Sequence, residues 1–212
     1  MSLACAHPAP GLAAEVYLHE RRRQALPAVL DFGCGAHKTA GAFGIDGVPL
    51  PGVDLVHDLG VRPYPLPDDC ADEAVLSHVL EHFDDPLAVL EEVWRVVRPG
   101  GRVLIRTPHY SGPYAWKDPT HRRAFSSESF HYFGQNGYSY YTRARFDVAQ
   151  VRLKYFMEEH LWPRPHRWWG SLVQRLLDTH PTFGERFLCY LVGGIEELQV
   201  TLRAVKPGAL DA

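Results

Sequence analysis

A chain of 212 residues suits one domain with room for an appended helical piece, and is long enough to bury most of its apolar surface. Hydrophobic residues at 46% and charged residues at 22% are those of an ordinary soluble globular protein, and no apolar run approaches the roughly 20 residues needed to cross a bilayer. The net charge of −3 excludes a general nucleic-acid-binding surface, which would show as a basic excess, and favours small partners over RNA or DNA.

In chain order, residues 1–14 are rich in alanine, proline and glycine and read as a loose terminus. From Glu15 to Leu26, Val16, Leu18 and Leu26 with arginines between them suggest a short helix, and Arg21, Arg22 and Arg23 read as its solvated face. The run Val29-Leu30-Asp31-Phe32-Gly33-Cys34-Gly35 ends a buried parallel strand, Ala28 to Asp31, in glycines that let the backbone approach a ligand. Residues 36–42 leave room for barely two helical turns before a second strand, Phe43 to Asp46. Prolines and glycines between Gly47 and Gly52 form a turn, so the third strand, Val53 to Asp58, follows without an intervening helix. After a proline-rich loop, Glu73 to His78 is the fourth strand.

The helix after it is the clearest in the chain. Asp85 can cap it, Pro86 suits its first turn, Leu87, Leu90, Trp94 and Val97 share a face, and Gly100 stops it. Arg102 to Thr107 is the fifth strand. Residues 108–145 then turn to aromatics, histidines, serines and glycines, the composition of a region that builds a binding pocket beyond the strands. A strand from Phe146 to about Phe156, an aromatic and proline-rich insertion over 162–194 with a helical centre at Leu172 to Leu177, and a strand from Glu196 to Val205 complete the pattern. Along that last strand Leu198, Val200, Leu202 and Ala204 alternate onto one face.

Two ligand classes, dinucleotides and S-adenosylmethionine, lie across the carboxyl ends of strands in doubly wound sheets. The dinucleotide fingerprint needs a third glycine at the helix start and an acid about 20 residues on. Here the third position is Lys38 and Asp46 comes too early. The ordered set Asp31-Phe32-Gly33-Cys34-Gly35, Phe43-Gly44-Ile45-Asp46, Val56-His57-Asp58-Leu59, Ser77-His78-Val79-Leu80-Glu81-His82 and Arg98-Pro99-Gly100-Gly101 instead resembles the class I S-adenosylmethionine-dependent methyltransferases, over roughly Ala28 to Pro108. The resemblance implies an α/β doubly wound, mostly parallel sheet of seven strands in the order 3-2-1-4-5-7-6, the last antiparallel, with helices on both faces and residues 15–212 forming one domain. It implies S-adenosylmethionine as cofactor. Gly33, Cys34 and Gly35 would present backbone to the methionine part, with Asp31 orienting its ammonium through the loop. Asp46 would accept the ribose hydroxyls, Asp58 the adenine amino group and the Leu59 N–H a ring nitrogen, while Ser77 and His78 would border the sulfonium. A methyltransferase acting on a small-molecule acceptor, a hydroxyl favoured, is the function implied; a non-catalytic cofactor-binding sensor or partner subunit is the alternative from another class.

Cys34 reads as a small residue in a crowded turn, since nothing nearby specifies a base to activate a thiol. Cys5, Cys34, Cys70 and Cys189 have neither metal-ligand nor redox spacing, and no charged-then-apolar leader is visible, so a reduced cytosolic setting is the default expectation. The stretch His78-Val79-Leu80-Glu81-His82 also fits an inverted zinc-protease pattern, but its first histidine directly follows a strand, whereas that chemistry needs both histidines on one helix.

On the acceptor side, Asp118-Pro119-Thr120-His121 followed by Phe125-Ser126 resembles a pattern of small-molecule and sugar-modifying members of the family. A hydroxyl acceptor needs a base, and His82, His109, His121 and Asp118 are the candidates. His121 leads, because a proline-initiated helical turn would set the Asp118 carboxylate beside its ring. Asp118 could equally be a helix cap, and no metal is assigned, although His109, Asp118 and His121 are residue types that bind divalent ions. Tyr110, Tyr114, Trp116, Phe130, Tyr132, Phe133, Tyr138, Tyr140 and Tyr141 would supply core and an apolar acceptor pocket.

Overall fold

Leu30, Asp31 and Phe32 are all buried, as a strand covered on both faces requires, and the strand that carries them becomes the middle of the sheet. The computed structural model describes residues 10–134, 140–157 and 163–207. Its strands are β1 Val29–Phe32, β2 Phe43–Asp46, β3 Leu55–Val56, β4 Ala71–Ser77, β5 Val97–Pro108, β6 Arg145–Lys154 and β7 Glu197–Val205. They form one seven-stranded sheet in the order β3-β2-β1-β4-β5-β7-β6. β1 to β5 pair in parallel, and β7 runs antiparallel to both β5 and β6. This is the topology that the ordered motifs imply. Helices α1 (Pro10–Arg23), α2 (Pro86–Val96), α3 (Tyr114–Lys117) and α4 (Arg164–Thr179) accompany it, with a further helical run over 181–191 that contains a π turn at Gly184–Leu188. Among the described residues no helix is long and apolar enough to cross a membrane.

The elements depart from the sequence reading where local signals were weak. The first helix begins at Pro10 and ends at Arg23, so residues 10–14 are ordered rather than loose; residues 1–9 and Cys5 lie outside the described residues. Proline suits a first helical turn, and the stripe that packs is Ala14 and Leu18, four apart, whereas Val16 and Leu26 face solvent. Residues 36–42 form turns, not a helix, and β3 is only two residues long. So short a parallel pairing is held by Asp54, whose carboxylate accepts from the Gly44 N–H at 2.7 Å and the Lys38 ammonium at 2.6 Å. In α2, Asp85 does cap, accepting from the Ala88 N–H at 3.1 Å, and Pro86 takes the first position. The deepest residues are Val89, Leu90, Val93 and Val96, one step round from the expected face. Trp94 is half-buried and donates its indole N–H to the Val205 carbonyl at 2.9 Å. The helix stops at Val96; Val97 already belongs to β5, and Gly100, at φ 71°, turns within it. In the insertion, helix α4 extends well beyond the expected centre; Trp162 lies outside the described residues.

The turn after β1 is set by its first glycine. Gly33 has φ 68°, and a Cβ there would stand 2.3 Å from Val79 Cγ2, while a Cβ on Gly35, at φ 51°, would meet nothing within 4 Å. Gly33→Ala is therefore expected to lower unfolding free energy by about 2–3 kcal/mol, and Gly35→Ala by only about 1–2 kcal/mol, the left-handed backbone term alone. Urea denaturation of the two variants checks the order; equal losses would show that Val79 yields without cost.

Candidate functional site

The open ends of β1, β2, β3 and β4 meet along one edge. The Gly33 N–H donates to the Ile45 carbonyl at 2.8 Å, which folds the glycine turn back over β2. Asp31 is buried and accepts from the Thr39 N–H at 2.7 Å, so its carboxylate shapes the loop from inside. Asp46, half-buried at the end of β2, accepts from the Gly35 N–H at 2.8 Å and the Val48 N–H at 2.9 Å, one bond to each oxygen. Each carboxylate oxygen can accept a second hydrogen bond, so the pair of donors still leaves capacity for a diol. Beyond β3, Asp58 is exposed and accepts from the Gly60 N–H at 2.8 Å, while Leu59 is buried with its carbonyl bonded by the Tyr64 hydroxyl at 2.9 Å. The residues expected to hold a cofactor are thus brought to one edge.

At the end of β4 the chain bends sharply. Ser77 pairs with Arg106, and His78 takes φ 54°, a left-handed conformation uncommon outside glycine that clusters at functional sites. His78 Nε2 lies 3.0 Å from Glu197 Oε2, and its Nδ1 lies 3.5 Å from Glu81 Oε1. Burial opposes the imidazolium, but the bond to Glu197 and the facing charge of Glu81 outweigh it and push its pKa up to about 9. Glu81 is 1% exposed; its Oε2 accepts from the Thr107 hydroxyl at 3.1 Å, and its Oε1 makes no hydrogen bond.

The backbone carbonyl of Glu81 accepts from the Arg122 N–H at 2.7 Å and the Arg123 N–H at 3.1 Å, which draws the segment after α3 against the end of β4. That segment is a turn, not the helix expected from Asp118-Pro119: Asp118 ends α3 in extended backbone, and the His121 N–H closes onto the Asp118 carbonyl at 3.2 Å. The Asp118 carboxylate accepts from both the Thr120 N–H at 2.8 Å and the Thr120 hydroxyl at 2.7 Å, bonds that hold it below the usual carboxylate range. It stands 3.9 Å from His121 Nε2, beyond hydrogen-bond reach. His121 Nδ1 faces the Ala115 carbonyl at 3.2 Å, and the His82 and His121 rings meet edge to face with centroids 4.8 Å apart.

His109 is not part of this group. It is wholly buried, with Nδ1 2.8 Å from the Ser111 hydroxyl and Nε2 3.2 Å from Glu185 Oε1. Burial works against charge on Glu185, yet its bonds with His109 and Ser127 hold its carboxyl below the usual range. This pairing fastens the helical run to the end of β5, which is a structural duty rather than the base expected of His109. The trio His109, Asp118 and His121 is likewise not assembled, because β5 turns His109 inward. Of the aromatics, Phe130 and Phe133 are core, Trp116, Tyr132, Tyr140 and Tyr141 are exposed, and Tyr138 lies outside the described residues. Tyr114 lines a cavity of about 490 Å³ together with Lys117, Tyr155, Phe156 and Trp169. Sequence reasoning did not single out Glu81, Thr120 or Glu197. Glu81 gave a signal, an acid flanked by apolar residues and a histidine where a buried turn follows a strand; Glu197 gave none, because only the pairing of β7 with β5 brings it close.

A family model described as a methyltransferase domain matches residues 12–188. A protein of Mycolicibacterium smegmatis named "Probable S-adenosylmethionine-dependent methyltransferase" is 32% identical over a match covering 47% of this chain and 49% of that protein. The demethylmenaquinone methyltransferase of Lysinibacillus sphaericus is 39% identical over 26% of this chain and 24% of its own. The chain thus spans about half or less of the curated relatives it matches. In fold it is similar to an S-adenosylmethionine-dependent methyltransferase of Archaeoglobus fulgidus, at TM-score 0.54 and 17% identity over 89% of this chain and 93% of that one. The [4+2]-cyclase SpnF is as similar, at TM-score 0.54 and 17% identity over 90% and 80% of the two chains.

Cys34, between the two glycines, is buried. Desolvation, then Asp31 and Asp46, raise its thiol pKa to about 11, which agrees with a packing role. Alkylation by iodoacetamide at pH 8, mapped to the Cys34 peptide, should run about 10² times slower than for a free cysteine of ordinary pKa and should accelerate as pH rises toward 11. A rate equal to that of free cysteine at pH 8 would contradict this environment.

Proposed function

Because the chain belongs to the class I S-adenosylmethionine-dependent methyltransferases, we propose that it methylates a small-molecule acceptor, with a hydroxyl oxygen the favoured position. The observation that carries this reading is a pair of half-buried imidazoles, His82 and His121, that meet edge to face where the Glu81 carbonyl draws the segment after α3 against the turn that follows β4. The residues fit the cofactor. The open space over Gly35 leaves room for a ligand against the turn, and the Asp46 carboxylate keeps acceptor capacity for ribose hydroxyls. In this reading Asp31 shapes the loop, the Gly33-Cys34-Gly35 backbone meets the methionine part, Asp58 and the Leu59 N–H take adenine, and Ser77 and His78 border the sulfonium. When bound, S-adenosylmethionine supplies an electrophilic methyl group whose transfer cancels the sulfonium charge, leaving S-adenosylhomocysteine.

The chain's own task is then to hold the acceptor in line and to receive the hydroxyl proton. Thr120 gives its only hydroxyl proton to Asp118, so at 2.9 Å it accepts from His82 Nδ1. His121 Nδ1 likewise donates to the Ala115 carbonyl. These bonds assign Nδ1–H tautomers and leave both Nε2 lone pairs available, the form a general base needs. Asp118 acts by fixing Thr120, not by touching the acceptor. The net charge of −3 supports a small molecule over a nucleic acid. The free, buried thiols of Cys34, Cys70 and Cys189 suit a reducing cytosolic setting.

Asp46→Ala should weaken S-adenosylmethionine binding by about 1–3 kcal/mol in calorimetry, as buried donors lose a charged acceptor; unchanged affinity in the folded variant would move the ribose contact elsewhere. An acceptor screen read by homocysteine release tests the reaction itself, and silence across hydroxyl compounds with cofactor binding intact would overturn it in favour of a sensor. With an acceptor found, His121→Ala should keep cofactor affinity within about twofold and lower turnover by about 10² or more, and full activity would remove His121 from the chemistry.

A further inference from the structure

We propose that Glu81, His82 and His121 form a binding site for one divalent transition-metal ion at the acceptor end of the sheet. One potential ligand atom from each lies within 4.8 Å of the other two. A single ion could gather them with a small inward movement of the side chains, and two imidazoles with one carboxylate form a set that suits zinc, iron, manganese or cobalt.

Two further observations point the same way. The first is the state of the rings. Imidazoles that bind metals donate their second ring N–H to a protein oxygen, which fixes tautomer and orientation. Both rings do this here, His82 to the Thr120 hydroxyl at 2.9 Å and His121 to the Ala115 carbonyl at 3.2 Å. Asp118 completes the relay behind His82, because it takes the Thr120 proton and turns that hydroxyl into an acceptor. Their Nε2 lone pairs are thereby left for an outside ligand.

The second is the carboxylate. Glu81 is 1% exposed, and among the described residues its Oε1 has no hydrogen-bond donor; His78 Nδ1 faces it at 3.5 Å without closing the bond. A buried carboxylate oxygen without a donor is costly unless a cation meets it. His78 answers it only at a distance: its Nε2 lies 3.0 Å from Glu197, while its Nδ1 stays 3.5 Å from Glu81. A cation bound at Oε1 would supply the missing contact.

Binding does not depend on the methyl-transfer reading. Its use would deepen that reading: an acceptor oxygen on the ion would release its proton to water more readily, with the rings acting as ligands in place of a free base.

The test uses the full chain, with Co²⁺ as a visible probe and Zn²⁺ in calorimetry. Wild type should take up one Co²⁺ per chain with a d–d band, displaced by Zn²⁺. His82→Asn and His121→Asn, each checked for native circular dichroism, should lose that band. Thr120→Val, which removes the anchor of His82 Nδ1 together with that hydroxyl's bond to Asp118 at an exposed position, should weaken binding about 10–100-fold. Absence of one-to-one binding in wild type would overturn the proposal, as would unchanged affinity in either asparagine variant, the result expected if ions attach only to others of the chain's 12 histidines. These readouts involve no methyl transfer, so failure of one reading leaves the other standing.

Discussion

The acceptor end of this molecule depends on a buried carboxylate. Glu81 takes the Thr107 hydroxyl of β5, faces the ring of His78, and through its own carbonyl receives two N–H groups from the segment after α3. One residue therefore links the end of β4, the end of β5 and the segment carrying Thr120 and His121. Removing its charge would weaken the first two contacts, which the carboxylate makes, while the backbone carbonyl would still hold the segment after α3. The left-handed backbone of His78 belongs to the same arrangement: the chain must reverse sharply to set Glu81 beneath the sheet edge. The conformation that costs energy is what aims the acid inward.

Much of the fold was legible because the motifs sit at strand ends, where short-range chemistry dictates geometry. Phe43–Asp46 was bounded correctly by its apolar run, and the Asp85-Pro86 start of α2 follows from capping alone. The order of the sheet came from resemblance, not from periodicity. What escaped was set by contacts distant in sequence. Nothing local announces that α1 packs through Ala14 and Leu18, or that so short a β3 survives because Asp54 ties it to Gly44. At the site, the residues expected along the cofactor edge fall together there because most of them close a strand. The acceptor side was harder: Asp118-Pro119 reads locally as a helix start, yet tertiary bonds from the Glu81 carbonyl pull the following residues into a turn. His109 looked available in sequence and is buried because β5 carries it inward against Glu185.

The fold by itself leaves the reaction open, since a [4+2]-cyclase is as similar in shape as a methyltransferase. Function lies in which side chains the strand ends present. In this chain they divide by charge. The edge over β1 to β3 carries the carboxylates of Asp46 and Asp58, suited to hydroxyl and amino donors, while the edge over β4 and β5 carries imidazoles and a buried acid.

The reversed direction of β7 has a consequence for how the molecule is made. β7 enters between β5 and β6, pairing Arg102 with Arg203, and its first residue, Glu197, is delivered beside Pro108 and His78. A parallel strand in that slot would bring its last residue there instead. The ladder between β5 and β7 joins segments roughly a hundred positions apart, a pairing that forms slowly because a long loop must close first. During synthesis, β1 to β5 can assemble while His78 still lacks its second acid. The site reaches its final electrostatic balance only when the latest strand of the sheet slides home, so an incompletely made chain would carry a sheet without a working mouth.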